Sequence, residues 1–222
     1  MSYFSIAYID FFKDLAANNN RDWFHENKKR YEADVKKPFE NFIQAVVDRM
    51  KDEGYETEIA PKDAIFRINR DIRFSKDKSP YKLNRSAICS KYGRKDKSYP
   101  GLYLDFGPEK VWIGGGAYFL DKDMLYDVRD HISRNPKKAR KVLDNAEFKS
   151  HYGEVRGEKN KIIPKEFKPM LEEVPEIANK QFYYMSEHRP DIILTDQILD
   201  VVIDHWKASR EMEQFLIEGM VR

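Results

Sequence analysis

The stretch "LYLDFGPEKVWIGGG", residues 102–116, decides how the rest of the chain is read. Leu102, Leu104 and Phe106 alternate with Tyr103 and Asp105, the two-residue period of a strand with one face in a core. Gly107-Pro108-Glu109-Lys110 is a short polar turn, after which Val111-Trp112-Ile113 resumes the apolar pattern. Two strands joined by so few residues run antiparallel, because a parallel return needs a crossover of about a dozen residues or more. The glycines 114–116 are expected to end the second of these strands. They read either as a sharp turn or bulge, or as backbone that a ligand approaches closely, an anion-binding turn before the next helix.

Working outward, the same period recurs. Ser86, Ile88 and Ser90 alternate with Ala87 and Cys89, and Phe66, Ile68, Ile72 and Phe74 alternate with Arg67, Asn69, Asp71, Arg73 and Ser75. Residues from about 57 to 118 are thus predicted to form an antiparallel meander, turned at Gly93–Lys97 and at 107–110, with a further strand near 181–185. On both sides the period changes to that of a helix. Residues 4–17 form a short amphipathic segment. Phe24, Tyr31, Val35, Phe39, Phe42, Ile43, Val46 and Met50 lie on one stripe over 21–53, capped by Asn20, kinked or divided at Pro38 and closed by Gly54. Helices are also predicted over 122–134 after Asp121, from Pro136, and over 195–218 after Thr195. The segment 151–193, divided by Pro164, Pro169 and Pro175, has no clear period. The expected architecture is α+β: one domain over 1–222, with a mostly antiparallel sheet flanked by N-terminal and C-terminal helices.

Composition narrows the function classes. A mean hydropathy of -0.76 and 35% charged residues would suit a disordered chain, but 13 Tyr, 14 Phe and 3 Trp in 222 residues call for a packed core under a charged surface. One cysteine, Cys89, leaves no intramolecular disulfide and no cysteine-based metal cage; among small residues in a strand it reads as a buried side chain. The five histidines show neither His-x-His nor His-Glu-x-x-His spacing, so no metal site is expected, and Asp121 with Asp123 reads as a helix start. Walker, dinucleotide and serine-hydrolase signatures are absent, and no spacing identifies a cofactor. No apolar run approaches the roughly 20 residues of a membrane span, and no signal sequence is recognised, so the expected compartment is the cytoplasm.

The concentrated feature is "RINRDIRFSKDKSPYK", residues 67–82, with six Lys and Arg and two Asp. Over 62–97 twelve Lys and Arg face four Asp and Glu, a net of +8, although the whole chain is only +2. Such a patch attracts and steers anions. On a strand over 66–75, Arg70 would share the apolar face and would need a carboxylate, a set of carbonyls or an anionic ligand, since an unpaired buried guanidinium is costly. Arg67, Asn69, Asp71, Arg73 and Ser75 would line the other face about 6.6 Å apart, a row suited to a phosphate or carboxylate. Lys76 and Lys78 extend the row. Asp71 and Asp77 are the candidate general bases, with Tyr81 and Lys82 as proton donors. The structural alternative is a solvated, lysine-rich strand and turn whose charges pair with acidic helices.

The stretch from Phe66 to Lys82 resembles the signature of a microbial family known as domain of unknown function 2461. The resemblance continues in Asn19-Asn20-Arg21-Asp22-Trp23-Phe24 with Tyr31 and Pro38, in the 114–116 triplet, in Arg129, and in Pro164-Lys165-Glu166-Phe167. It covers nearly the whole chain. Glu166 stands where the family has Gly, and Phe119-Leu120 where a Pro commonly follows the triplet. The resemblance implies the fold boundaries and adds Arg129 and Gly114, Gly115 and Gly116 to the residues of interest, but implies no reaction.

Three functions compete on this reading. A site for a small phosphorylated or carboxylated ligand, with or without catalysis, uses Arg67, Asn69, Arg70, Arg73, Ser75, Lys76 and Lys78. A nucleic-acid binder would use the same basic face with Tyr81 and Tyr99 as stacking platforms, and its affinity would fall steeply with salt. An interaction module would dock an acidic protein there. The mixing of Arg, Asp and Asn over a few residues favours the compact ligand, because a long polyanion asks for uniform positive charge.

Overall fold

The computed structural model describes residues 2–220. They pack as two compact units: the first takes the chain up to Lys95 with Tyr103–Ile113 and Glu187–Ile203, the second Asp96–Leu102, Gly114–Ser186 and the chain from Asp204 onward. The fold is α+β. Its four-stranded antiparallel sheet is made of β1 (Arg85–Cys89), β2 (Leu102–Phe106), β3 (Val111–Ala117) and β4 (Phe182–His188), in that spatial order. β1 belongs to the first unit; the other three strands have residues in both.

In the first unit, α1 (Ile6–Ala17) buries Tyr8, Ile9, Phe11, Phe12 and Leu15. The predicted helix 21–53 is divided into α2 (Arg21–Glu26), α3 (Lys28–Arg30), a π-helical turn (Tyr31–Lys36) and α4 (Lys37–Asp52). Asn20 caps α2, its Oδ1 accepting from the Trp23 amide at 2.9 Å. Pro38 lies in the first turn of α4: with no N–H to offer and a ring that crowds the preceding turn, it places the wider winding just before itself. Gly54, at φ 82°, closes α4 with its amide on the Lys51 carbonyl and that of Tyr55 on the Met50 carbonyl, both 2.9 Å. The stripe Phe39, Phe42, Ile43, Val46, Val47 and Met50 is buried. Phe106 of β2 sits in an aromatic cluster, with ring centroids 5.7, 5.7 and 5.4 Å from Phe4, Phe39 and Phe42. The Tyr8 hydroxyl donates to the Phe106 carbonyl at 3.1 Å.

The strand expected over 66–75 is not formed. Only isolated bridges remain, Ile65 with Ala87 and Asn69 with Tyr81, beside a short helix, α5 (Pro61–Ala64). Of the alternating apolar residues Ile68 is buried, Phe66 and Ile72 are half-buried, and Phe74 is 95% exposed. The partner segment contains Pro80, which has no amide for a ladder, and the charges between 70 and 79 pair with one another rather than with a neighbouring strand.

The second unit holds its own core, including Val128, Ile132, Phe148, Phe167, Tyr184 and Phe215. α6 (Lys122–Arg134) begins at Asp121, whose Oδ1 accepts from the Met124 amide at 2.8 Å. α7 (Pro136–Leu143) starts on its proline and α8 (Ala146–Tyr152) on Asn145. The segment without a clear period contains three 3₁₀ turns, Lys165–Leu171, Pro175–Ala178 and Pro190–Leu194, each set by a proline at or just before its start. α9 (Ile198–Glu218) begins later than expected: Thr195 donates its hydroxyl back to the Ile192 carbonyl at 2.8 Å and so closes the preceding turn.

The glycines 114–116 do not end β3; they lie inside it, all buried. A Cβ on Gly114 would meet Met185 Sδ at 2.2 Å, one on Gly115 the Gly101 carbonyl at 2.7 Å, and one on Gly116, at φ 97°, the Phe182 carbonyl at 2.2 Å. Close strand packing is what these positions require, and the expected turn before the helix is absent.

Candidate anion-binding segment

In place of a strand, residues 65–82 form an irregular hairpin. Its stem is drawn together by the Phe66 amide on the Ser86 carbonyl, Arg70 on Pro80 and Lys82 on Ile68, at 2.9, 2.9 and 2.8 Å. The side chain of Asn19 completes the stem as a strand would: its Nδ2 donates to the Tyr81 carbonyl at 2.9 Å and its Oδ1 accepts from the Tyr81 amide at 3.1 Å. The Tyr81 ring stacks on Phe24 at 4.0 Å. The Asn19-Asn20 pair therefore does two jobs, one residue holding the hairpin and the next starting α2.

The tip is braced by its own charges. Arg70 is half-buried and pairs with Asp77, and also donates to the Ser79 carbonyl at 3.2 Å and Ser75 Oγ at 3.4 Å. The expected need of Arg70 for a carboxylate and carbonyls is thus met from within the loop. Asp77 in turn accepts from the Ser79 amide at 2.9 Å. Arg73 and Asp71 form a two-bond pair, Nε to Oδ1 at 3.0 Å and Nη2 to Oδ2 at 2.7 Å, and Lys78 Nζ donates to the Ile72 carbonyl at 3.0 Å. Hydrogen bonds from Arg73 hold Asp71 down to about 2, and those from Ser79 and Arg70 do the same for Asp77. A carboxylate held that low is a weak base near neutrality, and Asp71 and Asp77, the expected general bases, are both engaged here in bracing the loop. Tyr81 is used in packing, and Lys82 lies with Nζ 5.5 Å from the Phe66 ring centre.

What the tip presents is the remainder. Arg67, Asn69, Lys76 and Lys78 are exposed and Ser75 is half-buried. Among the described residues no carboxylate forms an ion pair with Arg67, Lys76 or Lys78, whereas Arg70 and Arg73 each have one.

The other residues singled out from sequence lie in the second unit. Arg129 is 4% exposed and donates Nε to the Ile177 carbonyl at 2.9 Å and Nη2 to the Asn179 and Ala178 carbonyls at 3.0 and 3.4 Å. It ties the end of the 3₁₀ turn Pro175–Ala178, with burial lowering its pKa. Arg129, the glycine triplet and Tyr99 belong to the second unit, and Arg67–Lys82 to the first. Glu166 stands in a 3₁₀ turn where no glycine is needed, since no described non-glycine residue has a positive φ, and its carboxylate meets the Tyr126 hydroxyl. Phe119 is exposed, with Lys97 Nζ 5.4 Å from its ring centre. Cys89 is buried, its thiol pushed up to about 12 by desolvation. No group of three or more His, Cys, Asp or Glu side chains comes together among the described residues, and no described helix is long and apolar enough to cross a membrane.

Sequence reasoning missed one group. On β2, Tyr103 and Asp105 point away from the aromatic cluster, and Asp105 Oδ2 accepts from Asn84 Nδ2 and from the Tyr103 hydroxyl, both at 3.1 Å. Burial raises the Asp105 carboxyl to about 6 against the opposing pull of Tyr103 and Lys82. The alternation had marked Asp105 as merely the outward side of a strand; nothing in the sequence says that Asn84 and the basic hairpin lie over it.

Fold and site together define an α+β protein with a basic, internally braced hairpin beside an antiparallel sheet. The chain belongs to the family described as "Conserved hypothetical protein (DUF2461)", which matches residues 7–215. No curated protein and no solved structure matches it.

Proposed function

We propose that the protein binds a small phosphorylated or carboxylated ligand at the basic hairpin, through Arg67, Lys76 and Lys78 with Asn69 and Ser75 as hydrogen-bonding neighbours. The observation that carries this reading is the division of charge at the tip: the two aspartates are held by Arg70 and Arg73, which fix the loop, and three further exposed cations, Arg67, Lys76 and Lys78, form no close ion pair among the described residues. A braced loop loses less conformational freedom when a ligand docks. Arg70 and Arg73 move, on this reading, from ligand clamps to supports.

A nucleic-acid partner is the second reading, favoured by Phe74, which is 95% exposed with the Arg73 guanidinium 5.8 Å from its ring centre. That tip could stack a base. The test is a thermal-shift and calorimetric series with phosphate, pyrophosphate, dicarboxylates, sugar phosphates, nucleotides and short DNA and RNA, at low and high salt. A ligand at about 100 times its Kd adds roughly 2.7 kcal/mol. Stabilisation of the wild type by a small anion at both salts, lost in Arg67→Ala, is expected. Stabilisation by oligomers alone, vanishing at high salt, would move the assignment to nucleic acid. A flat response to every ligand would remove both readings and leave a protein-docking surface.

A further inference from the structure

The face of the sheet that carries Asp105 differs from the face beneath it. Leu104, Phe106, Val111 and Ile113 are buried, whereas Tyr103, Asp105 and Trp112 are half-exposed. The Gly107 amide on the Lys110 carbonyl at 3.0 Å starts the register of β2 against β3, so that Trp112 stands opposite Asp105, and Asn84, just before β1, reaches the same carboxyl with its side chain. Two side chains of the basic hairpin border the same face: the Phe66 ring centre is 6.5 Å from that of Tyr103, and Lys82 acts electrostatically on Asp105 while lying over Phe66. Three aromatic rings, a lysine, an amide and a carboxyl thus share one half-open surface. Asn84 adds a second sign of incompleteness, because its buried Oδ1 has no hydrogen-bond donor.

We propose that this face, bounded by Asn84, Tyr103, Asp105, Trp112, Phe66 and Lys82, is the subsite for the ring of a phosphorylated ring compound, a nucleotide or a sugar phosphate, with a hydrogen-bonding edge of that ring on the Asp105 carboxyl. The proposal rests on the anion-binding reading of the hairpin: the phosphate is held by the basic side chains and the ring lies on the aromatic shelf. Aromatic surfaces recognise both a base and the apolar face of a sugar. Asp105 is suited to the edge of such a ring because it lies half-exposed beside the aromatic rings and its carboxyl, raised to about 6 by burial, accepts when ionised and below that pH can donate as well. The charged and titratable groups around it are Tyr103 on its own strand, Lys82 from the hairpin, and Tyr8 on α1, which in turn faces Arg85 of β1. Both tyrosines are raised by burial and stay neutral through the range of interest, so Asp105 is the group that changes.

The test is calorimetric titration of wild type, Asp105→Asn and Trp112→Leu with inorganic phosphate, glucose 6-phosphate and AMP at pH 5 and pH 7.5. Asparagine mimics the neutral acid and keeps the bonds to Asn84 and Tyr103 within reach. We expect at least one ring phosphate to bind about tenfold or more tightly than phosphate, with Trp112→Leu removing that preference and leaving phosphate binding intact. Measured relative to phosphate at each pH, wild-type affinity for the ring compound is expected to change by about tenfold between the two pH values, and that of Asp105→Asn to stay level. AMP against glucose 6-phosphate decides between base and sugar. If phosphate binds and neither ring compound gains over it, the subsite is wrong and the hairpin reading stands. If no anion binds, both fall. Should the variants not fold, the indole N–H resonance of Trp112 in the wild type gives the answer: it shifts with the ring compound and not with phosphate, and equal shifts with both would overturn the proposal.

Discussion

The basic hairpin and the glycine triplet carry the same kind of signal in sequence and meet opposite fates in the fold. Both are compositional extremes, six cations in sixteen residues and three glycines in a row, and both suggest a place where a ligand meets backbone or charge. The hairpin ends up open, its tip shaped by ion pairs that each lie at the surface, and so contributes little to stability. The triplet ends up inside β3, where every added Cβ would strike a neighbouring strand. A run of unusual residues therefore marks a constraint, and burial decides whether the constraint is packing, as in the triplet, or leaves side chains at the surface, as in the hairpin.

The largest effect that would break this contrast is at Gly116. Gly116→Ala puts a Cβ 2.2 Å from the Phe182 carbonyl on a backbone at φ 97°, and should cost about 3 kcal/mol or more, read as a fall in urea midpoint. A variant as stable as the wild type would mean that the triplet is looser than described. Next is Arg129→Met, which leaves the Ile177 and Asn179 carbonyls without their buried donor; a loss of about 2–4 kcal/mol is expected by the same measurement, with no change in anion binding. Altered ligand affinity there would return Arg129 to the binding residues.

Asp105 is predicted to work in the other direction. Its folded value of about 6 stands above the ordinary 3.8, so the folded state holds the proton longer than the unfolded state does. Below about pH 4 both states are protonated and the group costs nothing. Stability then falls as pH rises from about 4 to 6, and above that the full cost of about 3 kcal/mol is present. Asp105→Asn should raise Tm at pH 7 by several degrees and flatten the wild-type slope between pH 4 and 6; an unchanged slope would mean that Asp105 is ionised at no cost.

Smaller still is Asn19→Ala, which removes two hydrogen bonds to the Tyr81 backbone. About 1–2 kcal/mol of stability is expected to go, with faster hydrogen exchange at the Tyr81 amide as the local readout. The smallest effect on folding is predicted at the tip, where Arg67→Ala and Lys78→Ala should stay within about 0.5 kcal/mol of wild type. A large destabilisation there would show that the exposed cations serve the fold, and the contrast with the triplet would be lost.

How legible each part was depended on the range of the interactions that fix it. Capping residues act within three positions, so Asn20 and Asp121 were placed correctly, and the alternating segments 86–90 and 102–106 are real strands because their apolar residues are buried, on both faces in β1 and on one face in β2. The segment 66–75 had the same alternation and failed, since the burial that period implies was given only to Ile68 while Phe74 went to solvent. At the site, the charge of 67–82 and the need of Arg70 for a carboxylate were legible; its partner seven residues away was not, because a loop fold sets that distance.

By itself the sequence determined the α+β class, most helix starts, the concentration of cations between 62 and 97, and the family to which the chain belongs. These follow from local periodicity, composition and short-range capping, which need no knowledge of distant neighbours. Only the tertiary structure decided that Asp71 and Asp77 brace a loop, that Asn19 stands in for a strand, that three glycines are packing positions, and that Asp105 holds its proton to a higher pH than an ordinary carboxyl. Each of those depends on what a side chain is buried against or paired with, and those neighbours are set by the packing of segments far apart in the chain.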